Sequence, residues 1–342
     1  MSGVIIEFGI LAVVVVATGI VLSRAADRLA EASGLGRILV GSLLLAAATS
    51  LPELTVDLAA VRAGLPDLAI GDLFGSSLMN LLILAAVDLA VRQGRPMFSR
   101  EAAAHALPAT LSIVLTAIAG LAILTAGRLP QVTVAGVGGW SLTLVVAYLC
   151  GARMIFIDQR ISARAAREAD VGPSVVPSAE AGRRQGWVCW QPAGAFLAGA
   201  AVLSWAGPRL AVAAGNLADA TGLSGTFVGT TFVALTTSLP ELVAAVTAVR
   251  SGAVDLAIGN TFGSNAFNMI LFAPLDAMHP GSLFAAASPA HVFTVLAIVA
   301  ATAVALLGQL YRVERRIPII EPDAILVVLI VCGTLLLVYR LS

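Results

Sequence analysis

No lysine occurs in this 342-residue chain, and all 20 of its basic residues are arginine. We read that as a consequence of base composition and not of function. Charged residues make up only 12% of the chain, against 59% hydrophobic residues and a mean hydropathy of +0.96, which excludes water as its main solvent. The three cysteines, Cys150, Cys189 and Cys332, are odd in number, far apart and without metal-ligand spacing, so a disulfide framework or a thiolate site is not expected. No nucleotide-binding loop, hydrolase nucleophile elbow or zinc-binding helix is present. Before Val4 there is no basic residue, and no small-residue cleavage site leads into a polar chain, so the first apolar stretch is expected to be a retained helix and not a signal peptide.

Long apolar stretches are what the chain does have. A bilayer core takes about 20 apolar residues per helix. Ten such stretches lie at roughly 4–22, 38–61, 68–91, 103–125, 131–152, 193–213, 225–249, 254–275, 288–308 and 323–340. Sorting arginines by alternate loops puts Arg24, Arg28, Arg37, Arg92, Arg95, Arg100, Arg153, Arg160, Arg164, Arg167, Arg183, Arg184, Arg250, Arg312, Arg315 and Arg316 on one side. Only Arg62, Arg128, Arg209 and Arg340 fall on the other. The positive-inside rule makes the first side cytoplasmic and places both termini outside, in the periplasm or extracellular space of a cell (inner) membrane protein. The one long polar segment, 153–192, reads as a cytoplasmic linker between halves 1–152 and 193–342. Its arginines suit anionic headgroups, and equally a plain solvated linker.

An internal repeat organises the chain. Shifted by 188 positions, Gly41 to Leu84 falls on Gly229 to Phe272 without a gap, with 21 of 44 positions identical. The copies are five spans apart, an odd number, so they are expected to cross the membrane in opposite senses. The expected fold is all-α and integral to the membrane, with ten transmembrane helices in two inverted-topology repeats of five. Secondary transporters use this construction, with the ion site at the midplane between repeats.

Each copy carries Thr-Ser-Leu-Pro-Glu inside an apolar helix: Thr49, Ser50, Leu51, Pro52, Glu53 and Thr237, Ser238, Leu239, Pro240, Glu241. An ionised carboxylate at that depth is costly and needs a neutralising partner. Pro52 and Pro240 lack an N–H, which frees the carbonyls of Ala48 and Thr236. Carbonyls, hydroxyls and a carboxylate form a hard-oxygen ligand set suited to Ca2+ or Na+. A proline kink beside an idle glutamate is the bland alternative, and the matched duplication argues against it.

Downstream, Gly75, Ser76 and Asn80 match Gly263, Ser264 and Asn268. Ser and Asn four apart share a helix face. Gly71, Gly75, Gly259 and Gly263 allow close helix approach, which is also what ordinary packing uses. Asp67 and Asp255, each ahead of an apolar run, read as helix caps. Asp88, matched by Asp276, reads as a helix-end ion-pair partner of Arg92. Asp57 is unmatched, one turn beyond Glu53, and is not expected to take part. His105 and His291 read as polar packing residues near helix starts, or as titrating groups that couple to protons.

Both copies resemble the alpha-repeats of the cation/calcium antiporter superfamily, with its G-T-S-x-P-E-L and I-G-N-x-x-G-S-N-x-x-N patterns. The resemblance implies that Glu53 and Glu241 ligate Ca2+. It also implies that Thr49, Ser50, Ser76, Asn80, Thr237, Ser238, Ser264 and Asn268, with backbone carbonyls at Ala46 and Ala234, complete Ca2+ and Na+ sites. Four positions depart from the pattern: Ala48 and Thr236 replace glycine, and Asp72 and Ser77 replace asparagine. The implied activity is exchange of Ca2+ for Na+ or H+ by alternating access, with no enzyme activity and no cofactor. The expected partners are inorganic cations and the lipid bilayer, with no nucleic acid. Two other readings remain open, a Na+/H+ antiporter without Ca2+ transport and a membrane enzyme or sensor that uses a buried Asp or His.

Overall fold

The structure, a computed structural model, describes residues 2–33, 37–90, 105–126, 128, 132–134, 136–170, 179–221, 233–310 and 322–341. It is helical almost throughout. Helix α1 spans Ser2–Ser33 and is followed by a broken rod: α2 (Arg37–Leu39), a π-helical turn (Val40–Leu45), α3 (Ala46–Thr49) and α4 (Leu51–Arg62). Then come α5 (Pro66–Ala90), α6 (Ala106–Thr125), a two-stranded antiparallel hairpin of β1 (Thr133–Val134) and β2 (Val137–Gly138), and α7 (Gly139–Asp170). The second half holds α8 (Ala179–Thr221), α9 (Val233–Thr237), α10 (Leu239–Arg250), α11 (Val254–Met278), a 3-10 turn (Leu283–Ala286), α12 (His291–Leu310) and α13 (Pro322–Leu341).

Among the described residues each apolar stretch overlaps a helix, residues 225–232 of the seventh stretch lie outside them, and six helical segments are long and apolar enough to cross a membrane. Two boundaries differ from the sequence reading. The stretch begun at 131 starts with the hairpin, because Gly136 (φ +83°) turns the chain before α7 begins at Gly139. The polar segment 153–192 continues α7 to Asp170 and opens α8 at Ala179, so most of it is helix.

The repeat is visible in the boundaries. Moved by 188, α4 falls on α10 and α5 falls on α11, residue for residue. Matched glycines close the first member of each pair. Gly64 (φ +78°) and Gly252 (φ +76°) take the left-handed conformation that a side chain resists. Next to them, Leu65 N–H donates to Ala60 O (2.9 Å) and Ala253 N–H to Ala248 O (2.8 Å), so the last turns are capped by backbone.

Packing crosses the halves. Helix α1 lies along α8 and α10, and α4 lies along α8. Helix α5 packs on α12 and α13, while its counterpart α11 packs on α6 and α7. Helix α11 also seats the π turn. A methyl group at Gly259 would lie 3.0 Å from Ile38 O, and one at Gly263 would overlap the Ser42 backbone. The expected close approach of small residues is met at these two glycines. At Gly71 the neighbour is instead the His291 ring, 3.2 Å from an added methyl.

Asp276, read from sequence as the match of an ion-paired Asp88, is a backbone clamp. Its carboxylate accepts from Gly138 N–H (2.7 Å), Ser141 hydroxyl (2.8 Å) and Leu283 N–H (3.0 Å), tying α11 to the hairpin and to α7. Arg92, the proposed partner of Asp88, lies outside the described residues. Asp276→Ala strands three donors, two of them buried, and is expected to cost about 3–5 kcal/mol. A fall in the thermal unfolding midpoint of the detergent-solubilised protein is the check.

Candidate functional site

The two Thr-Ser-Leu-Pro-Glu motifs lie where their helices break. Pro52 and Pro240 sit in the first turns of α4 and α10, and the residues two before them, Ser50 (φ −88°, ψ 3°) and Ser238 (φ −79°, ψ 4°), leave the helical conformation. The cause is local. A proline cannot donate to the carbonyl four residues back, so the rod restarts at Leu51 and again at Leu239. Each break places a threonine and a serine just before a new helix and a glutamate in its first turn. The Ala46 carbonyl accepts from Ser50 N–H (3.0 Å) and from the Thr49 hydroxyl (3.3 Å), and Ala234 lies in α9.

The structure brings the predicted side chains together in the core. Thr49, Ser50, Glu53, Ser76, Asn80, Thr237, Ser238, Glu241, Ser264 and Asn268 are each at most 2% exposed. The contacts run between halves. Thr49 Oγ1 lies 3.4 Å from both Ser264 Oγ and Asn260 Oδ1. Ser50 donates to Glu241 Oε1 at 3.4 Å, and Ser76 Oγ lies 3.5 Å from Thr237 Oγ1. Asn80 donates to Asn265 Oδ1 at 3.0 Å, and Asn265 donates to Ser77 O at 3.1 Å.

Glu53 and Glu241 are close enough for direct electrostatic repulsion, and no arginine reaches either one among the described residues. Both Glu53 oxygens, Glu241 Oε2, Ser238 Oγ and the Asn268 amide are buried and receive no hydrogen bond. Buried polar atoms left like this cost free energy unless something else satisfies them. Among the described residues no three carboxylate, imidazole or thiolate side chains gather tightly enough to hold a metal ion by themselves. A cation here would therefore draw on hydroxyl, amide and carbonyl oxygens as well as carboxylates, the mixed oxygen set that hard cations accept.

Two acids were undervalued by sequence reasoning. Asp57, set aside above, is fully buried and lies within electrostatic range of Asp72, and none of the four carboxylate oxygens of the two makes a hydrogen bond. Asp72 also lies within electrostatic range of Glu53 and Glu241. The signal was present in the repeat comparison, because Asp57 faces Ala245 and Asp72 faces Asn260 in the alignment. The two extra acids therefore belong to the first half alone. Asp72→Asn, which installs the second half's residue, removes one member of a crowded group of buried acids. It is expected to raise the stability of the ion-free protein by about 1 kcal/mol, read as a higher unfolding midpoint in chelator.

The model of the family described as "Sodium/calcium exchanger protein" matches residues 2–156 and 192–339. The chain is 30% identical over 261 residues to "Inner membrane protein YrbG" of Escherichia coli (strain K12), covering 76% of this chain and 75% of that one. It is 26% identical over 304 residues to "Putative antiporter CaxA" of Alkalimonas amylolytica, covering 85% and 86%. A shorter stretch of 61 residues, 18% of this chain and 17% of the other, is 46% identical to "Sodium/calcium exchanger MaX1" of Methanosarcina acetivorans. Among solved structures, the sodium-calcium exchanger NCX_Mj soaked with Na+ and Sr2+ superposes with a TM-score of 0.70 at 17% identity, over 98% of this chain and 99% of that one. The fold is therefore the one that exchanger has. With both repeats, both breaks and nearly the whole length accounted for, the chain belongs to the sodium/calcium exchanger family, a family of membrane antiporters and not of enzymes.

Proposed function

We propose that the protein is a secondary active antiporter that exchanges Ca2+ for Na+ or H+ by alternating access. The cation is held at mid-membrane between Glu53 and Glu241. Thr49, Ser50, Ser76, Asn80 and the Ala46 carbonyl serve from the first half, and Thr237, Ser238, Ser264, Asn268 and the Ala234 carbonyl from the second. One observation carries this reading: a buried glutamate from each half, with three of their four carboxylate oxygens unpaired and no basic residue to balance them among the described residues. A divalent cation balances such a pair, and so do two protons or two Na+ ions. Competition for the same oxygens then couples the flow of one ion to the counterflow of the other.

Ten membrane spans in two inverted repeats, 1–152 and 193–342 joined by a cytoplasmic linker, fit this role. Two contacts support the inversion. Asp67 at the start of α5 meets His291, and Asp255 at the start of α11 meets His105, which lies beyond the far end of α5. With α5 crossing once and α6 starting at the face where α5 ends, as the ten-span reading has it, these contacts suit matched helices that run antiparallel. The assignment agrees with the arginine count, which puts Arg62 outside and Arg250 inside.

The test is uptake of radiolabelled Ca2+ into proteoliposomes under an imposed outward Na+ or H+ gradient. Uptake against the Ca2+ gradient that collapses with an ionophore for the driving ion is expected. Na+ and H+ exchanging with each other while Ca2+ neither moves nor competes would replace this reading with a monovalent antiporter.

A further inference from the structure

The two matched aspartates and the two histidines form a second symmetric feature, away from the ion site. His291 Nε2 lies 3.0 Å from Asp67 Oδ1, and His105 Nε2 lies 2.9 Å from Asp255 Oδ1. A carboxylate only accepts, so in each pair Nε2–H donates. Both bonds join the first turn of a site-bearing helix in one half to the first turn of a helix in the other half: α5 to α12, and α11 to α6. Read from sequence as simple caps, Asp67 and Asp255 are cross-half partners. Asp67 Oδ1 also accepts from Ser288 N–H at 2.6 Å, just before α12.

The geometry shows what such a bond controls. On α5 the residues Asp67, Gly71 and Phe74 lie within about 60° of one another around the helix axis, while Ser76 and Asn80 fall at about 180° and 220° from Asp67. The His291 ring rests on that back face. It sits 6.0 Å from the Phe74 ring between centroids, and Gly71 leaves room for it. The Ser76 and Asn80 oxygens are therefore held from behind, about 14 and 20 Å along a stiff helix. The same spacing relates Asp255 to Ser264 and Asn268 on α11.

We propose that Asp67, His291, Asp255 and His105 are positioning residues for ion exchange, one His–Asp clamp at each membrane face fixing the back of a site helix against the opposite half. The inference rests on the exchange function proposed above, so its test includes a readout that needs no transport. The charged surroundings differ between the faces. Beyond His105 and Asp255 lies Arg37, whose guanidinium bonds Asp27 (2.5 Å) and Glu31 (2.8 Å) on α1. Asp67 is the charged group facing His291 among the described residues. The third histidine, His279, enters neither pair. An imidazolium donates to a carboxylate more strongly than a neutral imidazole does, so each clamp tightens when its own face is acidified and relaxes when that face is made alkaline.

Hydrogen–deuterium exchange on the full-length protein, corrected for the intrinsic pH dependence of amide exchange, reads the clamps directly. Protection of the first turns of α5 and α12 is expected to be greater on acidification, where the donor carries a charge. His291→Ala lowers that protection by about tenfold, the low end for one lost hydrogen bond to a charged group, and leaves the starts of α6 and α11 unchanged. His105→Ala does the reverse. Glutamine places an amide N–H where Nε2–H stands, so His291→Gln restores protection while removing its pH response, which a purely steric role does not produce. In proteoliposomes the alanine variants are expected to lose about fivefold in maximal exchange rate with KM little changed, each losing pH dependence on one face only. Unchanged amide protection in both alanine variants, or a pH response that survives in His291→Gln, overturns the clamps. A native chain that moves no cation sinks the exchange reading instead, with the amide measurement still decisive for the clamps.

Discussion

Glu53→Gln and Glu241→Gln are each expected to cut Ca2+ exchange by about a hundredfold to a few thousandfold while leaving a folded, monodisperse protein. The magnitude follows from removing one partner of a buried charge arrangement, about 3–5 kcal/mol when the others stay. Glutamine fills the same volume and keeps one acceptor oxygen, so packing around α4 or α10 survives while one negative charge is lost. A divalent cation then sits beside a single glutamate. The two variants are expected to be nearly equal in Ca2+ affinity and unequal in counter-ion dependence, since Asp57 and Asp72 crowd the Glu53 side. Calcium flux in proteoliposomes together with calorimetric Ca2+ binding is the measurement. Flux within a few-fold of native in both variants removes the glutamates from the site.

Gly263→Ala carries the second large effect, and its sign is opposite to the ordinary one. In an open helix, exchanging glycine for alanine stabilises by about 1 kcal/mol. That outcome is expected at Gly9, where an added methyl meets nothing within 4 Å. At Gly263 the methyl would enter the space of the Ser42 carbonyl and Cα, which are main chain and cannot swing aside as a side chain does. The π turn at Val40–Leu45 must then move away from α11, carrying with it Thr49, whose hydroxyl bonds the Leu45 carbonyl at 3.0 Å. Overpacking of this kind costs about 1–3 kcal/mol or more. It also displaces Ser264, the next residue along α11, from Thr49. Gly263→Ala is therefore expected to lower both the unfolding midpoint and the Ca2+ affinity, and Gly9→Ala to lower neither.

Much of this was legible before any coordinates, and the reasons are specific. A proline followed by an acid deep in an apolar run announces a helix break that serves a charge, and its duplication at a fixed offset locates the centre. Helices α4 and α10, and α5 and α11, follow the repeat to the residue because the same local signals were copied with it. The π turn was not legible, since Val40–Leu45 reads as ordinary apolar helix. Its wider ring follows from tertiary contact with Gly259 and Gly263, which no local signal in 40–45 reports. Nor was the pairing of Asp67 with His291, 224 positions away. A carboxylate before an apolar run looks like a cap whether or not a histidine arrives from the other half. Asp57 shows the limit of reasoning by symmetry, because being unmatched made it look idle, while Asp72, an acid within its electrostatic range, is unmatched as well.

The exchange of packing partners, α5 against α12 and α13 and α11 against α6 and α7, bears on biogenesis. While the ribosome is still making the second half, α5 is already synthesised but has yet to meet the helices that cover it. A nascent chain ending near residue 285 thus holds the repeat sequences in full and yet has an uncovered flank on α5. Closure of the molecule waits for the last two helices to leave the translocon, like a clasp whose tongue is forged at one end and whose catch is forged at the other.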